Sequence, residues 1–312
     1  MRRYLTLDGG TTNTRIRLVC DGEIVDTVKI PKGARTNMEE CGSLDLAVKE
    51  AISSLLERNS LTESDIHRIL ASGMVTSEFG LCALPHVVAP AGIAELHESM
   101  HEVTLSHIST IPFVFVRGVR LSGEELCSAD MMRGEEAELV GIGDGVPNTL
   151  YVLPGSHSKL VLTDDLGRIA DFSTMLTGEM IYALSSATIL KDAVDLSLSE
   201  FDEEKLIEGY RYAKARGLNE ALFKVRILKN LFGASPVECY SFFLGTVLAD
   251  EIDAICASTA TRVVIGGRSQ IKNATKLLLS SSGCDKTIVL LDDAEAECST
   301  TVGMIRIYEY SL

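Results

Sequence analysis

Two stretches of this sequence set small hydroxyl and glycine residues in a tight loop between apolar strands, an arrangement suited to gripping phosphate. The first is Asp8-Gly9-Gly10-Thr11-Thr12-Asn13-Thr14 and the second is Pro154-Gly155-Ser156-His157-Ser158. Backbone N–H groups exposed in such loops form an anion-binding concavity. Asp8, at a strand end, adds a carboxylate that can hold Mg2+ through water while Gly10, Thr11, Thr12 and Asn13 cradle phosphate. Gly155 and Ser156 offer the same service in the second loop. Two such loops facing each other across a cleft could hold one polyphosphate from both sides. Taken singly, an Asp-Gly-Gly loop is also ordinary turn chemistry. The repetition of the layout argues for more.

The elements that must position these loops repeat as well. Strand Tyr4–Leu7 enters the first loop, followed by strand Arg15–Leu18, an Asp21-Gly22 turn and strand Ile24–Ile30. Strand Leu150–Leu153 enters the second, followed by Lys159–Leu162, an Asp164–Gly167 turn and strand Arg168–Phe172. Ser43 reads as the N-cap of a helix carrying Leu44, Val48, Ala51, Ile52 and Leu55 on one face. Strand Ile66–Leu70 then delivers Gly73-Met74-Val75-Thr76-Ser77, and Ile111–Val116 reads as another strand. A joint near residues 117–125 divides the chain into lobes of 1–120 and 121–312. Beyond it the patterns predict helices over Ala129–Val140, Thr177–Ala187, Asp202–Ala215 and Pro236–Cys256, the last with Pro236 suited to the first helical position. Strand Val263–Ile265 enters Gly266-Gly267, followed by helix Ser269–Leu279, strand Thr287–Leu291 and helix Ala294–Tyr308. Hairpins followed by strand–helix alternation, twice over, predict a duplicated α/β fold with mixed sheets.

Composition narrows the functions. With 312 residues and 46% hydrophobic content, the chain can build two cores. No apolar run approaches the roughly 20 residues of a membrane span, and the first strand begins at once, so neither a span nor a signal peptide is expected. Cys20, Cys41, Cys82, Cys127, Cys239, Cys256, Cys284 and Cys298 are scattered, as in a cytoplasmic protein with reduced thiols. A net charge of −15 disfavours nucleic acid and anionic membranes. An anionic substrate would therefore need a locally positive pocket or a metal ion. The histidines at 67, 86, 97, 101 and 107 form no ligand set.

The first loop, the second loop and the late Gly266-Gly267 together resemble the superfamily of sugar kinases, actin and heat-shock ATPases. That resemblance implies two ribonuclease-H-like lobes with an interdomain cleft, with Gly266-Gly267 of Ile265-Gly266-Gly267-Arg268-Ser269 capping the adenosine. Further blocks are more specific: Ser72-Gly73-Met74-Val75-Thr76-Ser77, Pro90-Ala91-Gly92, Met132-Arg133-Gly134-Glu135-Glu136, Leu153-Pro154-Gly155-Ser156-His157-Ser158-Lys159 and Met175-Leu176-Thr177-Gly178-Glu179. In that order, from residue 4 to the C-terminus, they resemble the 2-dehydro-3-deoxygalactonokinase family. The resemblance implies transfer of phosphate from ATP, with Mg2+, to the 6-hydroxyl of a six-carbon keto acid from galactonate.

Carbohydrate kinases of similar pattern carry their catalytic aspartate where Glu135 stands, so the resemblance implies Glu135 as the base, with Asp130 and Glu136 as alternatives, beside Asp8 on the metal. Glu138 is expected to be a solvated helix-surface charge. Arg133 offers a bidentate fork for the substrate carboxylate. Lys159 can neutralise phosphate or carboxylate, His157 can donate to either, and Met74 lies in a substrate-side block. Thr177-Gly178-Glu179 either approaches the nucleotide or caps a helix. The family's tryptophans are absent: Gly9, Leu81 and Leu160 stand in their places, so indole walls of a sugar pocket are expected to be missing. A kinase of a related acid such as 2-keto-3-deoxygluconate, or a non-catalytic nucleotide-dependent sensor of sugar acids, stays open, as does a homodimer.

Overall fold

The computed structural model describes residues 2–40, 42–267 and 269–311, with Ser269 by its backbone alone. Cys41 and Arg268, named above, lie outside the described residues. The chain forms two compact units. Unit 1 comprises Met1–Pro147, Asp164–Asp171 and Glu297–Leu312, and unit 2 comprises Asn148–Thr163 and Phe172–Ala296. These units do not follow the expected division at 120/121: the first continues to Pro147 and takes back the C-terminal segment.

Unit 1 is built on β1 (Arg3–Gly9), β2 (Thr14–Cys20), β3 (Glu23–Ile30), α1 (Ala34–Glu39), α2 (Ser43–Arg58), β4 (Arg68–Gly73), β5 (Val87–Val88), α3 (Ile93–Glu98), β6 (His101–Val103), β7 (Phe113–Phe115), β8 (Val119–Arg120), β9 (Met131–Met132) and α4 (Glu135–Ile142). Its main sheet has the order β3-β2-β1-β4-β7-β6, and a small sheet has the order β5-β8-β9. The first hairpin pairs antiparallel, while β1, β4 and β7 run parallel. Leu5, Leu7, Ile16 and Ile69 are fully buried, as are Leu44, Val48 and Leu55 on the predicted face of α2. Ser43 is the first residue of that helix, and Gly42, at φ 81°, is its cap. The segment expected to be helical from Ala129 instead contains β9, because Val119 and Arg120 pair with Met132 and Met131, and helix begins only after Gly134.

Unit 2 carries β10 (Thr149–Leu153), β11 (Ser158–Thr163), β12 (Ile169–Met175, which enters the unit at Phe172), α5 (Thr177–Ala187), α6 (Glu203–Arg216), α7 (Leu218–Phe232), α8 (Pro236–Ala257), β13 (Arg262–Ile265), α9 (Ser269–Ser281) and β14 (Thr287–Leu290). The final helix, α10 (Asp293–Tyr308), belongs to unit 1 from Glu297 onward. The sheet order β12-β11-β10-β13-β14 repeats the β3-β2-β1-β4-β7 order of unit 1. In both, an antiparallel hairpin is continued by parallel strands, the ribonuclease-H-like pattern expected of a duplicated α/β fold. From Cys239 to Ala249 every residue of helix α8 is buried, so over that stretch it is enclosed by protein on all sides. Ser235 caps it with its side chain and Pro236 opens it. Among the described residues no helix is long and apolar enough to cross a membrane.

Candidate active site

In unit 1 the geometry is set by three glycines stacked backbone to backbone. At the strand ends Gly9 pairs with Gly73 across β1 and β4. A side chain on Gly73, which has φ +88°, would strike Gly9 O, and one on Gly134 would come within 3.2 Å of Gly73 Cα. Removing three Cβ atoms lets β1, β4 and the start of α4 meet at van der Waals distance. Asp8, the residue before Gly9, and Glu135, the residue after Gly134, become neighbours.

The electrostatics record that meeting. Burial raises the Asp8 carboxyl above its usual value, the Arg15 and Arg17 charges pull it down, and the Glu135 charge raises it again. Among the described residues the Asp8 carboxylate has no hydrogen bond or ion pair, and the Nε of Arg15 is buried without a partner. A half-buried, unpartnered carboxylate beside a loop of small polar residues suits Mg2+, which takes one or two protein carboxylates and draws its other ligands from water and phosphate. No cluster of three or more His, Cys, Asp or Glu side chains able to hold a metal ion exists among the described residues.

The three glutamates of α4 divide their work. Glu135 is half-buried, and its Oε2 accepts the Arg133 N–H at 3.0 Å. Glu136 is 0% exposed; it accepts from Ser72 Oγ at 3.0 Å and from the Gly134 N–H at 2.9 Å. Burial and the Glu135 charge push it up to about 8. Tied down in this way, Glu136 has no access to a substrate hydroxyl, which leaves Glu135 the better placed of the two. Asp130 is spent on its own turn, its Oδ1 accepting the Met131 N–H at 2.7 Å. Glu138 is not the solvated surface charge expected. Glu135 and Glu138 lie three apart on one helical face, and burial together with the Glu135 and Asp8 charges raises Glu138 to about 8.

The first loop is closed by Gly10 N–H donating to Asn13 O at 2.8 Å, so Gly10 shapes the turn and its own N–H is not free for phosphate. Thr12 and Asn13 are exposed and Thr11 is half-exposed. Arg133 donates from Nη1 to Thr76 Oγ1 at 2.8 Å and from Nη2 to Leu84 O at 3.0 Å. It thereby braces the turn that begins at Met74, whose side chain is half-buried.

In unit 2 the second loop meets two other segments. Gly266 N–H donates to Val152 O at 2.9 Å, and Gly267, at φ +78°, is packed so that a Cβ would stand 3.1 Å from Pro154. The late glycine pair therefore lies against the base of the loop. On its other side, Glu179 N–H donates to Ser156 O at 3.0 Å, and a Cβ on Gly178 would strike Gly155 O. Gly155 and Ser156 are exposed, and His157 Nε2 stands 3.3 Å from Glu179 Oε1. Lys159 is 3% exposed within β11, opposite Leu153, and is withdrawn from solvent.

Sequence reasoning missed Glu251, on α8. It is 1% exposed and accepts from Ser158 Oγ at 3.0 Å and Thr177 Oγ1 at 2.6 Å. Those hydroxyls bracket the loop, one at the start of β11 and one at the start of α5. Burial raises the Glu251 carboxyl, and the two hydroxyl donors lower it. An acidic residue just after the long apolar stretch of α8 was the available signal, though Asp250 and Asp253 flank it. The tryptophan replacements also differ from expectation. Leu160 is 4% exposed in the core of unit 2, and Leu81 packs on the core of unit 1. The space beside Gly9 is filled by Val75, whose Cβ would lie 3.3 Å from a side chain there. Leu160 and Gly9 are thus enclosed, and Leu81 is partly buried against the core.

Residues 8–305 match a family described as 2-keto-3-deoxy-galactonokinase. The chain is 27% identical over 302 residues to the 2-dehydro-3-deoxygalactonokinase of Escherichia coli (strain K12), covering 94% of each chain. It is 26% identical over 307 residues to a protein of Rhizobium meliloti (strain 1021) given as a probable 2-dehydro-3-deoxygalactonokinase, covering 93% of each. Among solved structures, a candidate 2-dehydro-3-deoxygalactonokinase from Sinorhizobium meliloti superposes with a TM-score of 0.78 at 22% identity, covering 98% of each chain, which shows a shared fold.

Proposed function

The chain belongs to the 2-keto-3-deoxy-galactonokinase family, and on that premise we propose that it transfers the γ-phosphoryl group of ATP to the 6-hydroxyl of 2-dehydro-3-deoxy-D-galactonate. As a member of that family it is a phosphotransferase acting on an alcohol group. One observation carries the mechanism: an unpartnered Asp8 and a half-buried Glu135 held beside each other by stacked glycines.

Glu135 would accept the proton of the 6-hydroxyl as its oxygen bonds to the phosphoryl group. The Arg133 N–H holds the Glu135 carboxylate through Oε2. Asp8 would hold Mg2+, which when bound neutralises charge developing on the phosphates. Thr11, Thr12 and Asn13 of the first loop would orient phosphate oxygens. In unit 2, Gly155 and Ser156 would bind phosphate, and Gly266-Gly267, packed on Pro154, would seat the adenosine. His157, whose Nε2 stands 3.3 Å from Glu179 Oε1, would donate to a phosphate oxygen. Buried Lys159 would act as a fixed positive charge behind the second loop.

The test is ADP release with Mg-ATP and the galacto keto acid, against the gluco epimer and a no-sugar control. Turnover on the galacto acid should fall by roughly 10²-fold or more in both Asp8→Asn and Glu135→Gln. Full turnover in both variants would overturn the mechanism, and turnover on the gluco epimer alone would overturn the substrate.

A further inference from the structure

The small sheet of unit 1 gathers cations that the proposed chemistry has not used. Val87 N–H donates to Gly118 O at 2.8 Å and Ala89 N–H to Arg120 O at 2.9 Å. Together with the β8–β9 pairing, these bonds bring His86, Arg117, Arg120 and Arg133 around Gly118. A side chain on Gly118 would strike Met132 O and come within 2.7 Å of Arg133 Cγ and 2.9 Å of His86 Cδ2. The glycine permits that convergence.

Each guanidinium is anchored on neutral acceptors. Arg133 uses Thr76 Oγ1 and Leu84 O, Arg117 donates from Nε to Pro85 O at 2.6 Å and from Nη2 to His86 O at 3.4 Å, and Arg120 donates to Leu121 O at 3.3 Å. Among the described residues none of the three makes an ion pair with a carboxylate, although the charges of Glu136 and Glu78 reach Arg133. A guanidinium has five N–H donors, so donors remain on all three. His86 Nε2 is buried with no hydrogen-bond partner. Burial and the charges of Arg133, Arg120 and Arg117 lower its pKa to about 4, so the ring is neutral.

Three converging positive charges repel one another, and in a chain of net charge −15 carboxylate partners were plentiful. Fixing the forks on neutral groups leaves their charge for a ligand. We propose that Arg117, Arg133 and His86 form the subsite for the carboxylate of the sugar-acid substrate, an inference that rests on the sugar-acid kinase function proposed above. Arg133 spans the two ends of that substrate. Its backbone N–H holds Glu135, the base for the hydroxyl end, and its guanidinium grips the acid end. The length of one side chain thus measures the acid.

Kinetics of Arg117→Gln test this with the keto acid and its C1 amide, each at saturating ATP. The expected result is a KM for the acid raised about tenfold or more, the loss of one charge-assisted contact, with the KM for ATP and the amide kinetics unchanged. Arg117→Lys, which keeps the charge, should restore part of the affinity. An unchanged acid KM, or equal damage to acid and amide, overturns the subsite. Binding of inorganic phosphate that is lost in Arg117→Gln while the acid still binds assigns the cluster to phosphate and also overturns it. If wild type turns over no keto acid, the functional proposal fails separately, and calorimetric titration of the acid still reads the subsite. Binding lost in Arg117→Gln upholds it, and binding retained in the variant or absent from wild type overturns it.

Discussion

Replacing Gly178 with alanine isolates what the second loop contributes to the kinase reaction. The added methyl would overlap Gly155 O and lie 2.9 Å from both Gly155 C and Ser156 Cα. Carbon atoms rest at about 3.5–4.0 Å, so the loop must retreat by roughly 1 Å. The helix side of the contact gives less, because the start of α5 is held by Thr177 Oγ1 donating to buried Glu251. Overpacking costs about 1–3 kcal/mol, while alanine in a helix regains up to about 1 kcal/mol over glycine, so the variant should fold with a slightly lowered Tm. A displacement of about 1 Å at a group that positions phosphate is worth about 10²-fold in rate. ADP release with ATP varied at saturating sugar acid should show this loss in kcat/KM for ATP, with the KM for the sugar acid near wild type. Wild-type ATP kinetics in a folded Gly178→Ala protein would refute the idea that this loop places phosphate.

Two further substitutions address the buried carboxylates. Glu251→Gln keeps shape and removes one acceptor from the Ser158 and Thr177 hydroxyls, so it should cost about 1–3 kcal/mol and raise the KM for ATP without touching that for the acid; denaturant melts and the same kinetics read both. Glu136 rises from 4.5 to about 8 on folding, and Glu138 shifts the same way. Between those values the folded state holds protons that the unfolded state has released, so stability is greatest below about pH 4.5 as far as these groups go and is lost as pH rises through about 8. Denaturant midpoints at pH 6 and 8.5 should differ less in Glu136→Gln than in wild type, and an unchanged slope would count against a proton on Glu136.

Much of the fold was legible because its signals are local. The alternating strands on either side of each glycine loop, the face of α2 and the opening of α8 at Pro236 follow from side-chain period and backbone chemistry within a few residues. What failed depended on distance. Helix was expected from Ala129, but Met131 and Met132 pair with a strand a dozen residues earlier, and no local pattern announces that partner. The unit boundary was placed too early because the return of β12's first residues and of α10 to unit 1 is a tertiary event. Leu81 and Leu160 stand where the resemblance expected indole walls; Leu160 is buried in the core of unit 2 and Leu81 is partly buried against that of unit 1, which no local pattern distinguishes. His86 looked like one of several scattered histidines until β5, β8 and β9 set three arginines around it.

The α4 glutamates show how a short motif can hold more than one function. In a helix, successive residues are turned by about 100°, so in Glu135-Glu136-Ala137-Glu138 the second carboxylate must leave the face shared by the first and third. That turn sends Glu136 into the core, where Ser72 and Gly134 hold it against the strand-end glycines. It leaves Glu135 and Glu138 on the side of Asp8. Three ionised carboxylates there would repel one another strongly at low dielectric, and a Glu138 raised to about 8 relieves this by staying protonated near neutral pH. Asp8 and Glu135 can then carry the negative charge that a metal and a proton transfer require. Unit 2 uses a buried carboxylate differently: Glu251 grips Ser158 and Thr177 from within α8 and supports a loop. Both units thus bury a glutamate under a strand-end serine, and unit 1 adds the half-buried Glu135 next to it. On the function proposed above, that difference would give proton transfer to unit 1 and leave nucleotide placement to unit 2.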